Sequence, residues 1–251
     1  MPADRDAGPR LAPGSLVATD FDGTLAPIVA EPSAARPIDG AVQTLTELSA
    51  RGHEVAVVSG RPLSFLVGHL PEQLTLVGLY GLEMRRHGEL VEHPLAPVWR
   101  PVMAEAAAAA SAEGPDGMVV EFKGLSITLH YRTRPELAEQ VDACAARVAE
   151  RAGLLVRPAR RSVELHPPID EDKGSALRRL AEGSDGTVIY LGDDVGDLPA
   201  FDALDDLAVT GRSVWKIGVH SDELSPRLRD RADVMVPGPA GSLALLRSLL
   251  G

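Results

Sequence analysis

The chain of 251 residues is poor in cysteine, in lysine and in positive charge generally. Cys144 is the one cysteine, so a disulfide framework within the chain is impossible and a reducing, cytoplasmic setting is expected. No apolar run approaches the roughly 18 residues that a membrane span requires. Residues 1–13 include Asp4 and Asp6 and hold no apolar stretch, which reads as a flexible Pro/Gly/Ala-rich leader and not as a signal peptide. Lys and Arg together number 25 against 36 Asp and Glu, a formal net charge of −11. That balance argues against nucleic acid or an anionic membrane as the main partner. Lysine is scarce even within the basic set, where Lys123, Lys173 and Lys216 are the only three. What the chain has in quantity is apolar material, 45% of its residues, enough for one large domain or two modest ones.

The arrangement of that material is regular at both ends of the chain. Residues 15–19 read as a strand between Pro13-Gly14 and Asp20-Phe21-Asp22-Gly23, and residues 39–50 as a helix capped by Asp39 and stopped by Gly52. Val55 to Val58 form a short continuous apolar run, which suits a strand buried on both faces of a parallel sheet. A helix over 62–70 and a strand over 74–79 follow. Strand and helix alternating at this spacing imply right-handed crossovers and an open α/β sheet. The pattern resumes late, with a helix over 173–181, a strand over 187–191, a short helix over 198–204, strands over 206–209 and 233–236, and a closing helix over 242–250.

Between these stretches the order changes. A turn at residues 85–89 precedes an Ala-rich helix over 100–113, with Pro101 in its first turn. Strands over 119–122 and 126–131, a helix over 135–151 and strands over 154–157 and 162–166 complete an αββαββ order. This is an inserted α+β domain of about 70 residues, entered through Pro94, Pro97 and Pro101 and left through Pro167-Pro168.

In an open α/β sheet, ligands gather beyond the carboxyl ends of the strands. The first strand runs into Asp20-Phe21-Asp22-Gly23-Thr24 and the second into Ser59-Gly60-Arg61. The strand over 187–191 runs into Gly192-Asp193-Asp194-Val195-Gly196-Asp197, and Lys173-Gly174 opens the helix before it. Up to five carboxylates therefore converge on one edge. Two unit charges ~4 Å apart repel by roughly 4 kcal/mol at an effective dielectric of about 20. Several such pairs require a strong local cation, and oxygen-only ligands at a phosphate-sized site point to Mg²⁺.

In this order, the four elements resemble the four motifs of the haloacid dehalogenase superfamily of phosphohydrolases: Asp20 to Thr24, Ser59, Lys173, and Asp193 with Asp197. The resemblance implies a Rossmann-like parallel-sheet core of the haloacid dehalogenase type over 14–97 and 168–251, with an αββαββ cap over 98–167. It casts Asp20 as a nucleophile forming an aspartyl phosphate, and Asp22 as the acid that protonates the leaving alkoxide and later takes a proton from water. It implies Mg²⁺ on Asp20, Asp22 (through its backbone carbonyl), Asp193 and Asp197. Gly23, Thr24, Ser59, Gly60 and Lys173 are the implied holders of the phosphoryl oxygens.

Specificity is expected from the insert, as a cap that closes by a hinge at its Pro-rich joins near Pro94 and Pro167. Its motifs are Glu121-Phe122-Lys123-Gly124, His130-Tyr131-Arg132 and Glu164. Glu121, Lys123 and Arg132 are expected on one sheet face, since residues i and i+2 share a side. Charged, hydrogen-bonding groups of that kind suit the hydroxyls of a sugar. Joined to Pro27-Ile28, Gly81-Leu82-Glu83 and Asp172-Lys173-Gly174, the pattern is similar to the trehalose-6-phosphate phosphatases across residues 20–201. That similarity implies trehalose 6-phosphate as substrate and substrate-binding roles for Glu121, Lys123, Arg132 and Glu164. Tyr80 departs from it, standing where many members carry His, as do Gly196 and Leu198, which replace a frequent Thr and Glu. A related phosphatase for sucrose phosphate or another phosphosugar is the alternative. A non-catalytic phosphosugar sensor is a third reading, against which the intact Asp20, Asp22, Lys173 and Asp193 weigh. The expected partner is a small sugar phosphate and the expected state a monomer.

Overall fold

The computed structural model describes residues 8–29, 31–159, 161–221 and 224–251, so residues 1–7 of the expected leader lie outside the described residues. The chain opens with β1 (Leu16–Thr19), α1 (Ala41–Ala50), β2 (Glu54–Val58), α2 (Leu63–Val67), β3 (Thr75–Gly78), β4 (Glu83–Arg86) and β5 (Glu89–Glu92). Next come α3 (Ala96–Glu113), β6 (Val119–Phe122), β7 (Ile127–His130), α4 (Ala138–Ala152), β8 (Leu155–Ala159) and β9 (Ser162–His166). The chain closes with α5 (Lys173–Ala181), β10 (Val188–Gly192), α6 (Leu198–Val209), β11 (Val214–Val219), α7 (Pro226–Arg231), β12 (Val234–Val236) and α8 (Gly238–Ser248). Two compact units result, one from the described residues up to Val91 with Glu171–Gly251, the other from Glu92–Asp170.

The first unit carries the parallel sheet. Its strand order among the described residues is β12-β11-β10-β1-β2-β3-β4-β5. From β12 to β3 all pairs are parallel, and β4 is antiparallel to β3. The central strands β1 and β10 are buried at every position, which is why they read as unbroken aliphatic runs and not as alternation. Alternate residues of β1 feed two cores. Val17 packs with Leu45 and Leu48 of α1 and Leu246 of α8, while Leu16 and Ala18 pack with Leu177 of α5 and Phe201 and Leu204 of α6. The α/β class with a parallel sheet is as expected from the sequence.

Three expected elements are corrected. Residues 206–209 are the last turn of α6 and not a strand, since the helical spacing of Leu198, Phe201 and Leu204 carries on through them. The strand belongs instead to Val214–Val219, where Trp215, Ile217 and Val219 are buried and Lys216 is part-exposed. The helix expected over 62–70 shrinks to the five residues of α2. Finally, α3 begins at Ala96 with Pro97 in its first turn, so Pro101 lies inside the helix.

The second unit is an antiparallel sheet, β6-β7-β9-β8, backed by α3 and α4. Ile127, Leu129, Val163 and Leu165 pack against Met103 and Ala110 of α3 and Val141, Cys144 and Val148 of α4. Cys144 is a buried free thiol serving as core. Strand alternation puts the even-numbered residues of β7 and β9 on the face away from these helices. Among the described residues no helix is long and apolar enough to cross a membrane.

Candidate active site

Asp20 stands where β1 ends and Asp193 where β10 ends. These strands are neighbours, with β2 and β3 to one side and β11 and β12 to the other. This is the switch point at which an open α/β sheet leaves a crevice. The turn after β1 is tight, with the N–H groups of Leu25 and Ala26 both donating to the Phe21 carbonyl at 2.9 Å. Gly23 in that turn takes φ +78°, and a Cβ there would lie 2.1 Å from the Asp193 carboxylate. Glycine satisfies both the left-handed backbone and the close approach of the two loops.

Lys173 is the first residue of α5, fixed by Asp172 as N-cap, whose side chain accepts from the Ser175 N–H at 2.8 Å. Its buried ammonium lies 2.9 Å from Asp20 Oδ1 and 2.7 Å from Asp197 Oδ1. Asp197 is 0% exposed and accepts four hydrogen bonds. Its Oδ1 takes those of Lys173 and the Tyr190 hydroxyl, each at 2.7 Å, and its Oδ2 takes the N–H groups of Asp193 at 2.9 Å and Asp194 at 3.1 Å. One carboxylate thus fixes the lysine and the loop after β10 together.

Asp20, Asp193 and Asp197 are all buried, and each offers an oxygen within 4.8 Å of the others. Burial pushes Asp20 well above the ordinary value of 3.8, since the attraction of Lys173 does not offset burial joined to repulsion from Asp197 and Asp193. Asp193 is pushed up to about 8, by burial first and then by Asp197 and Asp194. Burial opposes the charge on Lys173, yet Asp197 and Asp20 hold it well above 10.5. Three buried carboxylates therefore outnumber the ammonium among them. An all-oxygen donor set short of positive charge is compatible with a hard divalent cation, which binds by displacing such protons.

The other expected groups border this cluster. Thr24 Oγ1 donates to Asp193 Oδ1 at 3.3 Å. Asp22 is held in a fork by Arg61, with Nε to Oδ2 and Nη2 to Oδ1 both at 2.7 Å. Arg61 is itself fixed by the Pro32 carbonyl at 2.9 Å and by the Phe65 ring, 4.5 Å from its guanidinium carbon. The buried Ser59 accepts the Arg61 N–H through Oγ at 3.2 Å. Over Gly60 lies the Tyr80 ring, whose hydroxyl would be 2.6 Å from a Cβ at that position. Leu79 and Tyr80 reach it through φ +47° and +61°, a left-handed pair stabilised by N–H donation to the Arg61 and Ser59 carbonyls at 2.9 and 3.0 Å.

In the second unit Glu121 lies in β6, Lys123 follows that strand, Arg132 lies beyond the end of β7 and Glu164 is in β9. Glu121 Oε2 is 2.8 Å from His130 Nε2 and 3.8 Å from Lys123 Nζ. Glu164 is buried, accepts from the Ser126 hydroxyl and lies 3.6 Å from Arg157 Nη1. Four residues, Glu121, Thr128, Glu164 and Arg157, stand in register across the sheet.

Residues 18–227 match the family model described as trehalose-phosphatase. The chain belongs to the trehalose-phosphatase family. It is 39% identical over 196 residues to the trehalose-phosphate phosphatase of Mycobacterium avium (strain 104), a match covering 74% of this chain and 50% of that protein. The chain thus spans about half the length of the curated relatives it matches. Among solved structures, the C-terminal domain of Candida albicans trehalose-6-phosphate phosphatase superposes with a TM-score of 0.75 at 23% identity, covering 94% of this chain and 92% of that one. The trehalose-6-phosphate phosphatase of Aspergillus fumigatus superposes with a TM-score of 0.62 at 27% identity, with the same shares covered.

Two residues around the site of this trehalose-phosphatase family member carry no signal in the sequence. Tyr190 reads as part of a buried strand, but a phenol in an otherwise aliphatic run needs a partner for its hydroxyl, and Asp197 supplies it. Arg61 stands at a strand end with no role evident from its sequence neighbours. Only the fold shows that it grips Asp22, 39 residues earlier.

Proposed function

We propose that this chain hydrolyses trehalose 6-phosphate to trehalose and inorganic phosphate, as a Mg²⁺-dependent phosphatase acting through an aspartyl phosphate. The observation that carries this reading is the 2.9 Å contact of Lys173 with Asp20, inside a buried carboxylate cluster at the switch point. An Asp20 oxygen attacks phosphorus, and the bond from phosphorus to the sugar's ester oxygen breaks. Asp22 gives its proton to the departing alkoxide, which requires its carboxyl to leave the Arg61 fork. Water then attacks phosphorus, Asp22 takes the water's proton, and the bond to Asp20 breaks to release phosphate.

Lys173 neutralises charge on Asp20 and on the phosphoryl group in flight, a task for which a compact ammonium between two anions is well shaped. Gly23, Thr24, Ser59 and Gly60 line the phosphoryl oxygens. Asp20, Asp193 and the Asp22 backbone carbonyl would hold Mg²⁺, which when bound supplies positive charge that screens the phosphoryl group from the nucleophile. Asp197, with four hydrogen bonds already accepted, anchors Lys173 and the loop beside them. Glu121, Lys123, Arg132 and Glu164 read the sugar hydroxyls. The partner is a small anion met by a monomer, with neither nucleic acid nor membrane involved.

Phosphate release from trehalose 6-phosphate, sucrose phosphate, glucose 6-phosphate and an aryl phosphate tests the reading, with Mg²⁺ and with a chelator. The highest kcat/KM is expected for trehalose 6-phosphate, with turnover lost in the chelator. Equal rates across the sugar phosphates, or a preference for sucrose phosphate, would overturn the substrate. Undiminished turnover in chelator would overturn the cation.

A further inference from the structure

Thr128 lies in the middle of the in-register row Glu121, Thr128, Glu164 and Arg157, on the sheet face turned away from α3 and α4. It is only 5% exposed, and its Oγ1 has no hydrogen-bond partner among the described residues. A buried hydroxyl in a folded protein is almost always paired, so an orphan calls for an explanation. Two carboxylates in register with it could accept a hydrogen bond from it, since directly opposed residues sit within side-chain reach. Both are committed elsewhere, Glu121 to His130 and Lys123, Glu164 to Ser126 and Arg157. The short Thr128 side chain thus forms the floor of a polar row whose walls are longer charged groups. The side chains of Glu121 and Arg157 are 33% and 35% exposed, so the row opens to solvent at its flanks.

We propose that the Thr128 hydroxyl is a further substrate-reading group, exchanging a hydrogen bond with a sugar hydroxyl laid along this row. The proposal rests on the sugar-phosphate reading above. It adds a specificity residue that the charged pattern of the sequence does not reveal, because a threonine in mid-strand otherwise reads as ordinary strand filler. The neighbours are held in place before any ligand arrives, which leaves Thr128 as the group whose hydrogen bond a ligand completes.

The test compares Thr128→Val and Thr128→Ser with the wild-type chain, on trehalose 6-phosphate and on an aryl phosphate that has no sugar. Valine keeps the shape and removes the hydroxyl. It is expected to lower kcat/KM for trehalose 6-phosphate about tenfold, chiefly through KM, as for one lost hydrogen bond to a buried group. Turnover of the aryl phosphate is expected to stay unchanged, and serine to retain most of the sugar-phosphate activity. The Thr128→Val melting temperature should not fall, because an unpaired hydroxyl contributes nothing to the fold. An unchanged KM for trehalose 6-phosphate in Thr128→Val, or equal losses on both substrates, would overturn the proposal. If the wild-type chain prefers another sugar phosphate, the substrate reading fails and Thr128 is judged by the same ratio on that compound. Activity on the aryl phosphate with none on any sugar phosphate overturns both.

Discussion

Carboxylates meet cationic groups in both units, but the surroundings differ. At the switch-point edge, Asp20, Asp193 and Asp197 are buried together around one ammonium, and Asp20 and Asp193 are driven toward their protonated forms. On the sheet of the second unit, Glu121 and Glu164 stand apart, each with its own partners, and their row opens to solvent at the flanks. The first arrangement is electrostatically incomplete and gains from an added cation. The second has its charges matched, leaving the Thr128 hydroxyl as the group in the row unpartnered among the described residues, an arrangement that suits a neutral, hydroxyl-rich ligand on the proposed reading. On the function proposed above, crowding of like charge is the feature suited to phosphoryl chemistry, and charge already matched is the feature suited to recognition.

If that contrast holds, removing a partner should hurt the two regions unequally. Lys173→Met leaves Asp20 and Asp197 buried without their cation, and urea unfolding in chelator should show a loss of about 3–5 kcal/mol. Glu164→Gln still offers Ser126 an acceptor, and its loss should stay near 1 kcal/mol or below. Similar losses for the two variants would erase the distinction.

The smallest effect is expected at a third ion-pair cluster, remote from the chemistry. There Asp205 of α6 contacts Lys216 of β11 at 2.6 Å and Arg231 of α7 at 2.7 Å. Burial raises its carboxyl, but the hydrogen bonds from Lys216 and Arg231 prevail and hold it below the ordinary 3.8. A depressed carboxyl stabilises the fold above its unfolded value, and that contribution is lost as pH falls through the folded value. Asp205 is half-exposed, so the contribution should stay below about 1 kcal/mol. Melting temperatures of wild type and Asp205→Asn should differ at pH 6 and converge toward pH 3. A gap that widens on acidification would contradict this sign. Lys216, unexplained from sequence, is accounted for as a strut between β11 and α6.

The parallel core and the αββαββ insert were legible because their signals are local: unbroken aliphatic runs for central strands and 3.6-residue spacing for helices. The strand Val214–Val219 was not, because Lys216 and Gly218 interrupt its apolar run and its outward face is only partly covered. Asp20, Lys173, Asp193 and Asp197, named from motif order at strand ends, do converge. The Arg61 fork on Asp22 and the Tyr80 ring over Gly60 depend on contacts between residues far apart in the chain, the first joined only when β1 and β2 align and the second only when β2 and β3 do. Thr128 is silent in the sequence for a different reason, since a lone hydroxyl stands out only once its neighbours are seen to be occupied and it is not.

The most direct test is acid-quenched turnover of phosphoryl-labelled trehalose 6-phosphate with Mg²⁺, followed by mapping of the labelled peptide. The account predicts a hydroxylamine-labile phosphoryl group on Asp20 and none in Asp20→Asn, whose steady-state rate should fall at least about a thousandfold. Label on another residue, or ordinary turnover by Asp20→Asn, would contradict it.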